Sequence, residues 1–328
     1  MLTSEITGLH HVGLVVHDLS DAIDTFRRFG FRIAAPTYPA LPPTPGAVPE
    51  PVGAGNTHAD FARGFLELLA VTIADGARIP ADATLVPLHI PAERLDATRA
   101  AIRHTVAGLT ERLERFEGAH ILIFATADAE QTAARIAAEG VAHGGVVVAQ
   151  RPITTAEGTS PQPISYLEIH DPATKAAILP EGRVGVAEDV PATVLDAQTG
   201  LDHPNGAVGL VECVLCVDDE ELDATAARYE RYLGIAAHHE SSSYGFSLGT
   251  HRLTLTTPRA VAARLPGERP RTPALSAYTI EVTDLAAAER LLRDRDVPLR
   301  TAATGELFIP AAAACGAAVL IRAATATA

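Results

Sequence analysis

Residues 8–19 read GLHHVGLVVHDL and place three imidazoles, His10, His11 and His17, on a stretch whose apolar content marks a β-strand. An imidazole there serves as a metal ligand, as an acid or base, or simply as a packed polar residue. Strand alternation puts His10 on the face opposite His11. His17 shares the face of His11 but lies ~20 Å further along by strand rise, too far to share a ligand. A second chemically loaded stretch is GFLELLAV, in which Glu67 stands among apolar neighbours. A lone carboxylate there is costly unless a metal or a cation partners it. Cys213 and Cys216 spell C-x-x-C, but on the strand-like LVECVLCV they face opposite ways, and no second pair completes a zinc site. They read as buried small residues.

The elements that must hold these side chains follow a repeat. The opening strand ends at Asp18, which caps a helix carrying Ile23 and Phe26, and Gly30 ends that helix. The same strand–Asp–helix order recurs at Asp128, with Gln131 at capping-box spacing, at Asp219 and at Asp284. Short β-like runs follow each helix: FLELLAV, SYLEIHD, HRLTLTT and AAVLIRA. Four βαβββ modules result, spanning approximately 6–75, 117–182, 206–258 and 274–324. Residues 37–55 are rich in Pro and Gly and read as a loop. Leu95, Ile102, Val106, Leu109, Leu113 and Phe116 form one stripe of a helix over 91–116 that links the first two modules and packs across a sheet. Residues 183–204 lack a module pattern and suit a connection.

Each module's strands are half-buried and need a partner. The expected architecture is α+β: modules paired into two domains with curved mixed sheets around clefts. The N-terminal domain is 1–183, a linker covers 184–204, and the C-terminal domain is 205–328.

The chain has 328 residues and a net charge of −14, which argues against nucleic acid or an anionic membrane surface as partner. No run reaches the ~18 apolar residues of a membrane span. No secretory signal is visible, so the expected location is cytoplasmic, with a small molecule as partner and a monomer or homodimer as the assembly.

His11-x-x-Leu14-x-Val16-x-Asp18, followed by a helix ending in Gly and a strand of aromatic-Leu-Glu-Leu form at Phe65–Leu68, resembles the vicinal oxygen chelate superfamily, on its glyoxalase-like branch. The resemblance covers nearly the whole chain. It is specific for the superfamily and not for the reaction, because the fold hosts isomerases, epimerases, dioxygenases, thiol transferases and drug-binding proteins. It implies a metal in the cleft of a paired module, with ligands from the first and last strands of each. Carried over, these are His11, Glu67, His120 in GAHILIF and Glu168 in SYLEIH. One departure is visible: His120 to Asp128 is one residue longer than His11 to Asp18. In the other pair the matching positions are Glu212, Thr254, Ala277 and a site near Leu320, a set unable to hold a metal.

Two imidazoles and two carboxylates suit Ni, Co, Zn, Mn or Fe(II). No nucleotide cofactor is expected. A substrate with vicinal oxygens would chelate the ion, which would stabilise an enediolate, while Glu168 or Glu67 moves the proton. That is a glyoxalase-like isomerase or lyase. With three ligands the set becomes that of an Fe(II) dioxygenase, a ring-cleaving enzyme among them. A third reading is a non-catalytic protein that sequesters a small molecule. Asn56, His58, Arg63 and Tyr166 are candidates to line the cleft. His170, on the face of Glu168, competes with it as ligand or lines the cleft.

Overall fold

The computed structural model describes residues 4–72, 79–174 and 177–325. The end of the first expected module, 73–75, lies outside the described residues. The first stretch runs β1 (Ile6–Val15), α1 (Leu19–Arg28), β2 (Thr37–Leu41), β3 (Glu50–Pro51), β4 (Ala54–Asp60), β5 (Phe65–Val71) and β6 (Thr84–Pro87). The long helix α2 (Leu95–Arg115) leads into β7 (Gly118–Thr126), α3 (Ala129–Ala138), β8 (Val147–Thr155), β9 (Gly158–Ile169) and β10 (Arg183–Glu188). A short α4 (Ala192–Leu195) precedes β11 (Ala207–Cys216), α5 (Leu222–Leu233), β12 (His238–Glu240), β13 (Ser243–Leu248), β14 (His251–Thr256) and α6 (Pro258–Arg264). The last stretch holds β15 (Ala274–Val282), α7 (Leu285–Asp294), β16 (Arg300–Thr301), β17 (Leu307–Ile309) and β18 (Ala318–Ala323).

The fold is a mixed α+β arrangement in which the strands join one large sheet. One pairing recurs: β1 with β5, β7 with β10, β11 with β14 and β15 with β18 all run parallel. The leading strands pair antiparallel in each half, β1 with β7 and β11 with β15. Asp18, Asp128 and Asp284 cap α1, α3 and α7 by accepting backbone N–H groups. Such caps satisfy donors that the first helical turn leaves free. Asp219 differs from expectation: it opens a short 3-10 turn before α5 and makes no side-chain cap.

Both leading pairs are bulged at the same three places, of which two fall beside the expected ligands. Between Leu9 and His11 the β1 chain carries one residue more than β7, and between Ile121 and Ala119 the β7 chain carries one more than β1. The extra residues are His10 and His120. Their counterparts in the second half are Val211 and Ser276. A bulge re-aims its side chain and breaks simple alternation.

One face of the sheet packs against α1, α3, α5 and α7 in a single buried cluster that includes Phe26, Ile136, Tyr229 and Leu292. The cluster runs through both halves. The other face carries two separate clusters. Leu109 and Leu113 of α2 meet Val15, Leu69, Ile121 and Ile123, and Val261 and Leu265 meet Val214, Ala277 and Leu320. The stripe expected on the long helix thus does cross the sheet. Cys213 and Cys216 are buried free thiols in different clusters, one on each face.

Two segments differ from expectation. Residues 37–41 form strand β2 despite Pro39, pairing with β6 on one side and with β3 and β4 on the other. Residues 183–188, expected to begin the linker, form β10, which lies between β7 and β9. Val184 and Val186 fill the helix-side core. Arg183 and Gly185 face the other way and hid the apolar alternation.

Candidate active site in the N-terminal cleft

The strand registers decide which side chains share one face of the sheet. His11 pairs with Ile123 and Gly13 with Ile121, so Ile121 is the residue of β7 that matches His11. The helix caps agree: Asp128 follows Ile121 at the same spacing as Asp18 follows His11. On the parallel partners, Gly13 stands beside Glu67 and Ile123 beside Gly185. Gly185 therefore matches Glu67. Glu168 pairs with Gly185, as His58 pairs with Glu67, so Glu168 lies one strand over and matches His58.

This corrects the register behind two of the expected ligands. His120 is the bulge residue, only 1% exposed, and its Nε2 lies 2.9 Å from the Phe116 carbonyl. Its ring packs on the Phe116 ring at 4.5 Å. Burial, together with the charges of Arg112 and Arg115, lowers its pKa to about 4 despite that hydrogen bond. His170 donates its backbone N–H to Ala142, and its ring packs against Gly144. Arg63 is an exposed residue that pairs with Asp196 at 2.6 Å.

The structure does bring together His11, Glu67, Asn56, His58 and Phe65. His11 Nε2 stands 3.8 Å from Glu67 Oε2, with both side chains mostly buried. Asn56 Nδ2 donates to Glu67 Oε1 at 2.8 Å and lies 3.4 Å from His58 Nε2. Because β5 runs between β1 and β4, Phe65 separates the imidazoles, with its ring stacked 4.4 Å from His11 and 4.2 Å from His58. Burial holds the His11 pKa well below its ordinary value, and the nearby His10, His58, Arg151 and Arg183 add to this.

A second polar group faces them. Arg183 Nε donates to Glu168 Oε1 at 3.2 Å, and the Tyr166 hydroxyl donates to Glu168 Oε2 at 3.2 Å. Burial and the Glu168 charge push the Tyr166 pKa far up. Burial works against the charge on Arg183, but Glu168, Tyr166 and Glu67 outweigh it and raise its pKa. Both groups thus stay protonated at neutral pH.

Arg183, Arg151, Asp189 and a role for His10 went unread in the sequence. The spacing from Asp128 back to Ile121 was a usable signal for the first, because the register it sets makes β10 the last strand. Nothing local marks Asp189 or Arg151. Their pairing joins residues distant in sequence, with Arg151 also 3.3 Å from Asp60 and its guanidinium over the Phe65 ring.

The four expected donors do not fit a metal. Among the described residues, no three His, Cys, Asp or Glu side chains are placed to hold an ion. At the four matched strand positions stand His11, Glu67, Ile121 and Gly185, and the last two offer no donor. Glu168 is already committed to Arg183 and Tyr166.

Two solved structures with TM-scores above 0.5 agree with the fold. A hypothetical protein from Staphylococcus aureus is similar over 97% of this chain and 99% of its own, at 11% identity and a TM-score of 0.58. A xylose isomerase-like TIM barrel/4-hydroxyphenylpyruvate dioxygenase fusion protein is similar over 99% of this chain and 50% of its own, at 13% identity and a TM-score of 0.55. The Mn(II)-bound glyoxalase from Novosphingobium aromaticivorans is similar over 97% and 82%, at 13% identity and a TM-score of 0.49. No curated protein matches the sequence. The model of the glyoxalase-like domain matches residues 9–242, from the His11 strand through both leading strands of the first half and into the second. That is well over half of the sequence, and the chain belongs to the glyoxalase-like domain family.

Proposed function

We propose that the N-terminal cleft binds a small oxygenated molecule and moves a proton at a carbon beside its carbonyl group, the chemistry of a glyoxalase-type isomerase or lyase. The observation that carries this reading is the buried pair of His11 and Glu67, 3.8 Å apart, facing a wall that holds a cation. Asn56 orients Glu67 through Oε1 and leaves Oε2 turned toward His11. On this reading Glu67 takes a proton from one carbon and returns it to the next. The lowered pKa of His11 keeps its imidazole neutral at pH 7, so it can take the proton of the substrate hydroxyl and hand it to the neighbouring oxygen, which completes the isomerisation. An enediolate develops negative charge on oxygen, and a fixed positive group stabilises it best where water is excluded. Arg183, buried and held by Glu168, is that group here. Because the donor set does not fit a metal, no step runs through one. The dioxygenase reading relied on His120, which faces the Phe116 carbonyl instead.

The sequestering reading is favoured by one observation. Arg183, Glu168 and Tyr166 satisfy one another before any ligand arrives, which also describes a passive binding wall. Deuterium incorporation separates the two. Protein dialysed against a chelator is incubated in D2O with dihydroxyacetone, lactaldehyde and related 2-hydroxycarbonyl probes. Exchange at the carbon beside the carbonyl, lost in Glu67→Gln, is the expected result. Binding of the probes without exchange would replace the enzyme by a sequestering protein.

A further inference from the structure

We infer that Asp189 and His10 are positioning residues that fix the tautomer of His11, so that its Nε2 presents a lone pair to the cleft. This rests on the acid–base reading of His11 and Glu67, but it is tested without turnover.

The bulge in β1 is what makes the arrangement available. Regular alternation would send the two imidazoles to opposite faces. Instead His10 Nδ1 lies 2.7 Å from His11 Nδ1, and His10 Nε2 lies 3.3 Å from Asp189 Oδ2. Asp189 is held as an acceptor: Arg151 donates to the same Oδ2, and the Val190 N–H donates to Oδ1 at 2.9 Å.

With both imidazoles neutral, as burial keeps them, one proton pattern satisfies this chain. A neutral imidazole has one N–H donor and one bare nitrogen. A bare His10 Nε2 would face a carboxylate with two acceptors opposed, so His10 carries its proton on Nε2. Its Nδ1 is then an acceptor, and the short Nδ1–Nδ1 contact requires the proton on His11 Nδ1. His11 Nε2 is left bare. The opposite pattern would need Glu67 to capture an Nε2–H, but that separation is 3.8 Å, beyond hydrogen-bond range. The chain therefore runs from Asp189 through His10 to His11, and its far end is accessible. Asp189 and His10 line a cavity of about 590 Å³ together with Arg63, Glu188 and His251.

The test is long-range 1H–15N correlation of the imidazole nitrogens in the 15N-labelled full chain, with His11 assigned by the signals missing from His11→Gln. The unaltered protein should show the His11 proton on Nδ1 and the His10 proton on Nε2. In Asp189→Leu the His11 proton should move to Nε2, a change that loss of packing alone would not produce. A His11 proton on Nε2 in the unaltered protein overturns the inference, whether or not the variant folds. So does a His11 tautomer unchanged in Asp189→Leu. If the tautomers are as stated but no probe exchanges deuterium, the positioning stands and the proposed reaction falls.

Discussion

In the C-terminal half the carboxylate of Glu212 is enclosed by its own chain: Arg264 donates to both oxygens, and Thr254 and Thr279 donate one bond each. Glu212 holds the strand position that His11 holds in the N-terminal half. There, among the described residues, the carboxylate of Glu67 receives one hydrogen bond, from Asn56, and the imidazole beside it bonds to His10. The two halves also differ in which helix covers this face of the sheet. Helix α6 follows β14 directly and brings Arg264, Val261 and Leu265 into its cleft. Helix α2 follows the first unit at the corresponding point but contributes Leu109 and Leu113, which cover apolar residues and leave the polar group alone. The same scaffold pairs its acid fully in one half and only in part in the other.

The largest expected effect strikes the C-terminal half. Arg264→Met leaves a buried carboxylate without its cation, and should cost about 3–5 kcal/mol in urea unfolding. Glu67→Gln, by contrast, keeps the Asn56 contact and should cost no more than about 1 kcal/mol. Equal losses would erase the distinction between the clefts.

Much of the pH dependence of stability should also belong to the N-terminal half, with His251 the partly buried imidazole that the other half contributes. His120, His10 and His11 are held neutral in the fold, mainly by burial. Once unfolded they regain ordinary values near 6.5, so below that pH the unfolded chain binds protons that the fold refuses. Stability should therefore fall as pH drops from about 6.5 toward 4, with His120 contributing on the order of 3 kcal/mol. Thermal melts of His120→Phe should show a correspondingly shallower acid slope. The matching bulge residues of the other half, Val211 and Ser276, do not titrate in this range.

Glu67→Gln should lower deuterium exchange by about 100-fold or more, since a positioned base contributes on that order. Arg264→Met, measured where it remains folded, should leave exchange within about threefold, for it lies in the other cleft. The smallest effect is expected at His17, which is exposed at the end of its strand. His17→Ala should change stability by no more than about 0.5 kcal/mol and leave exchange intact.

The sequence made the repeat legible because each unit carries a strand, most have an Asp cap, and an amphipathic helix follows. It also singled out His11 and Glu67, since both obey the motif, and the fold sets them 3.8 Å apart. The second unit misled for two physical reasons. Its bulge shifts His120 by one position, which a motif read along the chain cannot see. Its Tyr166-Leu167-Glu168 run imitates Phe65-Leu66-Glu67, while the strand that truly corresponds carries Gly185 where a carboxylate was sought. The Asp189 to His10 link was invisible because only the fold brings residue 189 to residue 10.

Metal titration tests the central claim most directly. Mn(II), Ni(II) and Zn(II) are titrated calorimetrically into chelator-dialysed protein and into Ile121→His, which sets a second imidazole beside His11 and Glu67. The account predicts no stoichiometric site in the unaltered protein and a new one in the variant. One ion bound per unaltered chain, and lost with His11→Ala, would contradict it.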